Sequence, residues 1–311
     1  VENEIEKKLG LKSKRDIEKL GIEKFNAACR DSVFTYAKEW EKTLKRVGRW
    51  ADYSNFYATL DNDYIESVWW VFKKLWDSGL IYKDYRVSPY CSRCGTPLSN
   101  FEVSLGYKDV EDESVYVKFR VLNPSGHSLS TNTYFLAWTT TPWTLPGNVA
   151  LAINPKSTYI LTQKGKEYFI LAKDRIAVLG DGYKKIKEFK GKDLIGIKYE
   201  PLFGVPAFQS SKSKNVFSVL PADFVSMEDG TGIVHTAVMY GVDDFELGKK
   251  FDLPMKHTVD ENGLFNKEVK EWEGKPAKAS DPEIIKHLEN AGLIFKKEKI
   301  TQNGTEAYPH F

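Results

Sequence analysis

The chain has 311 residues, with 45 Lys and Arg against 43 Asp and Glu for a formal net charge of +2, and it is 41% hydrophobic and 14% aromatic. These proportions supply at least one substantial core and indicate a folded, soluble protein. No stretch approaches the roughly 18 to 20 apolar residues of a membrane span. The near-neutral balance neither demands nor excludes a nucleic-acid partner, because a local basic patch can hold RNA while the total stays close to zero.

Val1-Glu2-Asn3-Glu4 has no apolar signal core, so a cytoplasmic location is the expectation. The absence of an initial methionine and the abrupt Tyr308-Pro309-His310-Phe311 read as an excised piece of a longer protein. Ile22, Phe25, Cys29, Val33, Tyr36, Trp40, Leu44 and Val47 recur at three- and four-residue intervals, which predicts a helix over 22–47. Ile65, Val68, Trp69, Phe72, Leu75 and Trp76 repeat that spacing over 64–80, with Gly79 as a C-terminal cap. These aromatics read as core.

Cys91-Ser92-Arg93-Cys94-Gly95 follows, between Pro89 and Pro97. Two cysteines two apart in a tight turn can point both thiolates at one tetrahedral zinc, which needs four ligands, so half a site is visible. Unliganded turn cysteines are the competing reading. A redox pair is disfavoured because that motif normally opens a helix in a βαβ setting. Three cysteines in all, counting Cys29, fit a reducing compartment.

Beyond Cys94 the period changes to two, as in Val115, Val117, Phe119, Val121 and again Val149, Leu151, Ile153. Turn signals stand at Asn123-Pro124-Ser125-Gly126, Lys164-Gly165, Asp181-Gly182 and Asn262-Gly263, and helices are predicted only near 243–251 and 281–291, the second with Pro282 at its first position. The segment 107–300 therefore reads as a β-rich α+β domain. Lys184, Lys185, Lys187, Lys190 and Lys192 form the densest basic run, a solvated face or a contact for nucleic acid.

Two stretches can carry chemistry. In Trp138-Thr139-Thr140-Thr141-Pro142-Trp143-Thr144-Leu145-Pro146-Gly147-Asn148 the threonines suit a strand, here taken as an edge strand, and alternate hydroxyls would face opposite sides. Pro142 and Pro146 remove ladder donors and force the chain out of the sheet, making a polar pocket wall. Gly230-Thr231-Gly232-Ile233-Val234-His235-Thr236-Ala237 reads as a turn or bulge feeding a strand, and Asp243 and Asp244 stand where the next helix begins. Asp243 suits a cap, which leaves Asp244 to project elsewhere and hold a substrate ammonium. His235 is either a strand histidine with its bonds satisfied or part of the site.

In this order and at these separations, the elements resemble the class I aminoacyl-tRNA synthetases that carry a large editing insertion, over nearly the whole chain. The stretch Trp138 to Asn148 is similar to the WTTTPWTLPxN of the isoleucine enzymes and lacks the arginine of the valine and leucine loops. The order Asp223-Phe224-Val225, Gly230-Thr231-Gly232, His235, Asp243-Asp244 also matches. Val238 stands where proline usually follows the alanine, which puts the local loop shape in doubt. Neither HIGH nor KMSKS occurs.

The resemblance implies a helical flank of the catalytic core over 1–88, a partial zinc knuckle and linker over 89–106, a barrel-like editing domain over 107–300, and a return strand over 301–311. It further implies hydrolysis of Val-tRNA(Ile), without isoleucine activation by this piece. Asp244 would hold the valine α-ammonium, and Thr140, Thr141 and Asn148 the terminal adenosine and the attacking water, with His235 in the pocket wall. Trp138, Thr139, Thr144, Gly232 and Asp243 complete the substrate set, and Cys91 and Cys94 are the metal ligands. The implied partners are the 3′ end of tRNA(Ile) and misactivated valine or Val-AMP, for a monomer; zinc belongs to the half-site, and ATP and Mg to the parent ligase. A non-catalytic tRNA-positioning module and a valyl or leucyl editing domain are the alternatives.

Overall fold

In the computed structural model, which describes residues 1–12, 14–92, 94–124 and 129–305, the chain divides into two compact units, Val1–Arg86 and Val87–Phe311. No helix among the described residues is long and apolar enough to cross a membrane.

The first unit is helical: α1 (Glu2–Leu9), α2 (Lys14–Leu20), α3 (Ile22–Arg46) and α4 (Asn62–Asp77). Its small core is Ile5, Ile17 and Phe25, with Leu11, Leu20, Ala28 and Cys29 packed around them. Apolar periodicity correctly places α3 and α4, and Gly79 ends α4 in a left-handed conformation (φ +71°), its N–H donating to the Trp76 carbonyl at 2.9 Å. The expectation that the α4 aromatics form a core is corrected. No residue of α4 is buried, and Trp69 is 75% exposed, because no other element among the described residues of this unit covers that face.

The second unit opens with a two-residue hairpin, β1 (Tyr90–Cys91) and β2 (Thr96–Pro97), followed by a short α5 (Asn100–Ser104). Then come β3 (Tyr107–Arg120), β4 (Thr133–Thr139), a 3-10 turn at Pro142–Gly147, β5 (Ala150–Ile153), β6 (Thr158–Lys164), β7 (Glu167–Ala172) and β8 (Lys184–Lys190). The remaining elements are α6 (Pro206–Gln209), β9 (Ser218–Pro221), β10 (Ile233–Thr236), α7 (Val242–Phe251), α8 (Asp281–Asn290) and β11 (Ile294–Thr305).

Six strands form one mixed sheet in the order β11-β3-β4-β7-β6-β8, and three form a second, β10-β5-β9. Alternation decides which side chains lie between the sheets. Val115, Val117, Phe119, Phe135 and Ala137 from the large sheet meet Leu151, Ile153, Val219 and Ile233 from the small one, and Ile284, Ile285 and Leu288 of α8 join that core. The intervening residues Tyr116 and Leu136 fall in a separate cluster with Ile160, Phe169 and Leu171, while α7 packs Phe245 and Leu247 with Ala150 and Ala152. Both sheets are open, so the α+β, β-rich class holds while the barrel-like expectation is corrected: the large sheet ends in β11 and β8, which do not pair with each other.

Lys184, Lys185, Lys187 and Lys190 of the basic run lie on β8, an exposed edge strand, and Lys192 in the 3-10 turn that follows it. The turn at Asn123-Pro124-Ser125-Gly126 and the return strand over 301–311 lie partly outside the described residues, and β11 ends at Thr305.

Two close approaches join the sheets near the strand that follows Gly230. Gly232 has φ +70°, and a Cβ there would stand 2.4 Å from the Ala172 Cβ, while its carbonyl accepts the Tyr159 hydroxyl at 2.8 Å. Only glycine suits such a position. Gly232→Ala is expected to lower stability by about 2–4 kcal/mol through the combined backbone and overlap penalties. Urea unfolding checks this, and a loss below about 0.5 kcal/mol would contradict the assigned conformation.

Candidate functional site

β4 pairs with β3 from Tyr134 to Thr139 but with β7 only at Thr133 to Phe135. The expected edge strand is therefore an inner strand whose last residues have one neighbour. Pro142 then enters the 3-10 turn. The hydroxyls of the run do not alternate along a strand as expected, because the turn gathers three of them.

Thr139 Oγ1 lies 3.2 Å from Thr141 Oγ1 and accepts the Thr141 N–H at 3.1 Å. Thr141 Oγ1 lies 3.3 Å from Thr144 Oγ1, and the Thr144 hydroxyl donates to the Thr141 carbonyl at 2.8 Å. Thr140, half-buried at the bend, stands outside this chain of bonds.

The chain of hydroxyls ends on His235, whose Nε2 is 3.0 Å from Thr144 Oγ1. β10 pairs His235 with Leu151 of β5, and the strand packs beside β4, so residues 91 apart in sequence meet. Burial holds the imidazole well below its ordinary value, down to about 4, so it is neutral near pH 7. Because the single Thr144 hydroxyl proton goes to the Thr141 carbonyl, the bond to His235 is assigned as Nε2–H donating, which leaves Nδ1 as the bare acceptor. Nδ1 is shielded from solvent and has no partner.

Gly241 is the N-cap of α7, and Asp243 and Asp244 lie in its first turn. The expected cap at Asp243 is corrected: its side chain is exposed and no side-chain cap bond forms. Asp244 turns inward. Its carboxylate accepts from the Ala237 backbone, and Oδ2 stands 2.2 Å from where a Gly241 Cβ would lie, so that glycine makes room for it. Oδ1 is buried and unpartnered.

Burial raises the Asp244 carboxyl to about 7, opposed by the Ala237 N–H and reinforced by the charge of Asp243. Four buried side-chain atoms among the described residues lack a partner: Trp138 Nε1, His235 Nδ1, Thr236 Oγ1 and Asp244 Oδ1. All belong to the two stretches singled out by sequence, and buried polar groups left open in this way suit a ligand.

Asn148 and Trp138, also in the expected set, pack into the framework. Asn148 is buried, its amide donating to the Ala150 carbonyl at 3.0 Å and its oxygen accepting the Tyr199 hydroxyl at 2.7 Å. Trp138 points to the opposite face of its strand from Thr139, beside Tyr116, and a Gly230 Cβ would lie 3.1 Å from its ring. Val238, at the position that departs from the family pattern, is buried against Gly248 of α7, where a Cβ would come within 2.6 Å.

Asp281 escaped sequence reasoning. It accepts the Trp143 N–H at 2.7 Å, and an aspartate preceding a proline reads locally only as the start of a helix. Tyr240 was missed too, with its ring edge-on to Trp143 at 5.1 Å between centroids. No local signal links 143 to either residue.

Cys91 ends β1 and Cys94 lies in the hairpin turn, where its N–H donates to Cys91 Sγ at 3.3 Å, and Arg93 between them lies outside the described residues. No group of three or more His, Cys, Asp and Glu suited to a metal occurs among the described residues.

The sequence model of the class I tRNA synthetases (I, L, M and V) matches residues 1–273. The isoleucine–tRNA ligase of Thermus thermophilus is 49% identical over 311 residues and that of Clostridium acetobutylicum 47% over 310, each alignment covering 100% of this chain and 29% of the relative. The chain thus spans about 29% of the length of the curated relatives it matches. Among solved structures, GlLeuRS-CP1 superposes with a TM-score of 0.47 at 14% identity, covering 60% of this chain and 98% of that one. The editing domain of the cytosolic leucyl-tRNA synthetase of P. falciparum gives 0.44 at 14% identity, covering 60% and 99%.

The buried Asp244 makes stability depend on pH. Its proton is held to about 7 in the folded chain against an ordinary 3.8, so folding takes up a proton between these values and stability falls as pH rises through them. Asp244→Asn is therefore expected to stabilise the chain by about 1–2 kcal/mol at pH 8 and to have little effect at pH 4. Thermal or urea unfolding at the two pH values checks this, and an equal effect at both would contradict it.

Proposed function

The chain belongs to the class I tRNA synthetases, and on that premise we propose that it is the editing part of an isoleucine enzyme, hydrolysing valine from mischarged tRNA(Ile). The observation that carries this reading is the meeting of the Thr139-Thr141-Thr144 hydroxyls with neutral His235 and, on the same strand-to-helix segment as His235, an unpartnered Asp244 carboxylate oxygen. Isoleucine and valine differ by one methylene, worth about 0.8 kcal/mol of burial. A separate site that admits valine and rejects isoleucine by overlap discriminates further, because overpacking costs more than a missing methylene.

An aminoacyl ester is already activated, so water attacks its carbonyl once oriented, the bond to the terminal ribose oxygen breaks, and that oxygen takes up a proton. Ionised Asp244 pairs with the valine α-ammonium. The threonine hydroxyls, with Thr140 at the open bend, and the free Nδ1 of His235 supply donors and acceptors to the ribose and the water. No covalent nucleophile takes part. In the same reading Cys91 and Cys94 are half of a zinc site, and ATP and Mg serve amino-acid activation in a longer ligase.

The decisive measurement is deacylation of Val-tRNA(Ile) and Ile-tRNA(Ile) by this chain. Val-tRNA(Ile) is expected to be cleaved and Ile-tRNA(Ile) spared, and Asp244→Ala to reduce the rate by at least about tenfold. The rate should rise with pH up to about 7 as Asp244 ionises. Binding of tRNA with both esters intact would instead make this a positioning module, and full activity of the Asp244 variant would remove that residue from the site.

A further inference from the structure

The 3-10 turn at Pro142–Gly147 has a weakness that its own sequence cannot repair. The first amides of a helical turn lack an internal acceptor. Here the first residue is Pro142, which has no N–H, and the Thr144 N–H already donates to the Thr141 carbonyl at 3.0 Å. Trp143 is therefore the one opening position whose amide needs an acceptor from outside the turn. Asp281 Oδ1, distant by 138 residues in sequence, supplies it at 2.7 Å.

Asp281 is itself fixed. Its Oδ2 is 3.1 Å from Lys278 Nζ, and the same ammonium reaches Asp112 Oδ1 on β3 at 2.8 Å. Asp281 and Lys278 are largely shielded from solvent, so the cation and its two carboxylates tie β3, the approach to α8 and the threonine turn together. On the other side the Trp143 ring meets Tyr240, whose hydroxyl accepts the N–H groups of Thr258 and Val259 at 2.8 and 3.0 Å. Thr141 and Thr144 flank the held Pro142-Trp143 pair, so a shift of Trp143 moves both hydroxyls.

We propose that Asp281 is a positioning residue for the hydrolysis: by accepting the Trp143 N–H it sets where the threonine hydroxyls stand relative to His235. This rests on the reading of the site as a Val-tRNA(Ile) deacylase. Asp281 touches none of the reacting groups, and its effect passes through the backbone of the turn. Misplacement of a catalytic group by about an ångström can cost on the order of a hundredfold in rate.

The test uses Asp281→Ala and Asp281→Asn in the whole chain, with kcat and KM for Val-tRNA(Ile) and amide hydrogen exchange of the 139–148 segment. Asp281→Ala is expected to lower kcat by at least about tenfold with KM within about threefold, and to speed exchange in 139–148 but not in β6 and β7. Asp281→Asn, which keeps the Oδ1 acceptor, is expected to restore kcat to within about threefold of the original and to restore slow exchange. A folded Asp281→Ala with unchanged kcat overturns the proposal, as does faster exchange spread evenly over both sheets. Should Asp281→Ala not fold, Asp281→Asn alone decides: a loss above about tenfold in a folded protein overturns the role of the acceptor. If the original chain leaves Val-tRNA(Ile) intact, the deacylase reading fails, while the exchange comparison still judges whether Asp281 fixes the turn.

Discussion

The arrangement of the second unit depends on how β4 leaves its sheet. Thr139 is the last residue with a strand partner, and Pro142, which cannot donate to a ladder, diverts the chain into a tight turn. That turn brings three hydroxyls into one hydrogen-bonded row and delivers the chain to β5, the centre of the smaller sheet. The same exit therefore builds both the polar row and the second layer of the fold. β10 then pairs with β5 in the register that sets His235 against Thr144.

Around this row the structure tolerates costs that a purely structural domain has no reason to carry. A carboxylate is buried at Asp244 with one oxygen unpaired, an imidazole is kept neutral at His235 with one nitrogen unpaired, and Thr236 hides a hydroxyl without a partner. Each opposes folding, since buried polar atoms forgo their bonds to water. Their concentration between residues 235 and 244, where His235 meets the Thr144 hydroxyl, matches a site that trades stability for recognition. The proposed valine ammonium would give the Asp244 oxygen the partner it lacks and favour its ionised form.

Close packing supplies the rigidity. Gly147, Gly232, Gly241 and Gly248 each bring backbone against Tyr240, Ala172, Asp244 and Val238, at distances where a Cβ would collide or crowd. The Val238 contact explains how a residue other than proline is accommodated there: its branched side chain fills the space against Gly248. The helical unit contrasts with this. Its core holds three buried side chains, and the aromatic face of α4 is open among the described residues.

Periodicity determined the helices at α3 and α4 and the strands at β3 and β5, because each carries its apolar residues at the spacing of its own backbone, while turn signals, the acidic pair Asp243-Asp244 and Pro282 marked where α7 and α8 begin. The two polar stretches were legible for the same local reason: prolines and glycines mark where a chain must leave a sheet, and the unusual hydroxyls and carboxylates stand between them. Tertiary structure decided what no local rule reaches. Whether an apolar stripe is covered depends on which elements exist to cover it, so the α4 aromatics looked like core and are exposed. Which of two adjacent aspartates turns inward depends on Gly241 and the Ala237 amide, and Asn148 was drawn into the framework by a tyrosine 51 residues away. The acceptor for the Trp143 amide lies on a helix 138 residues downstream, a distance over which single-sequence spacing carries no information.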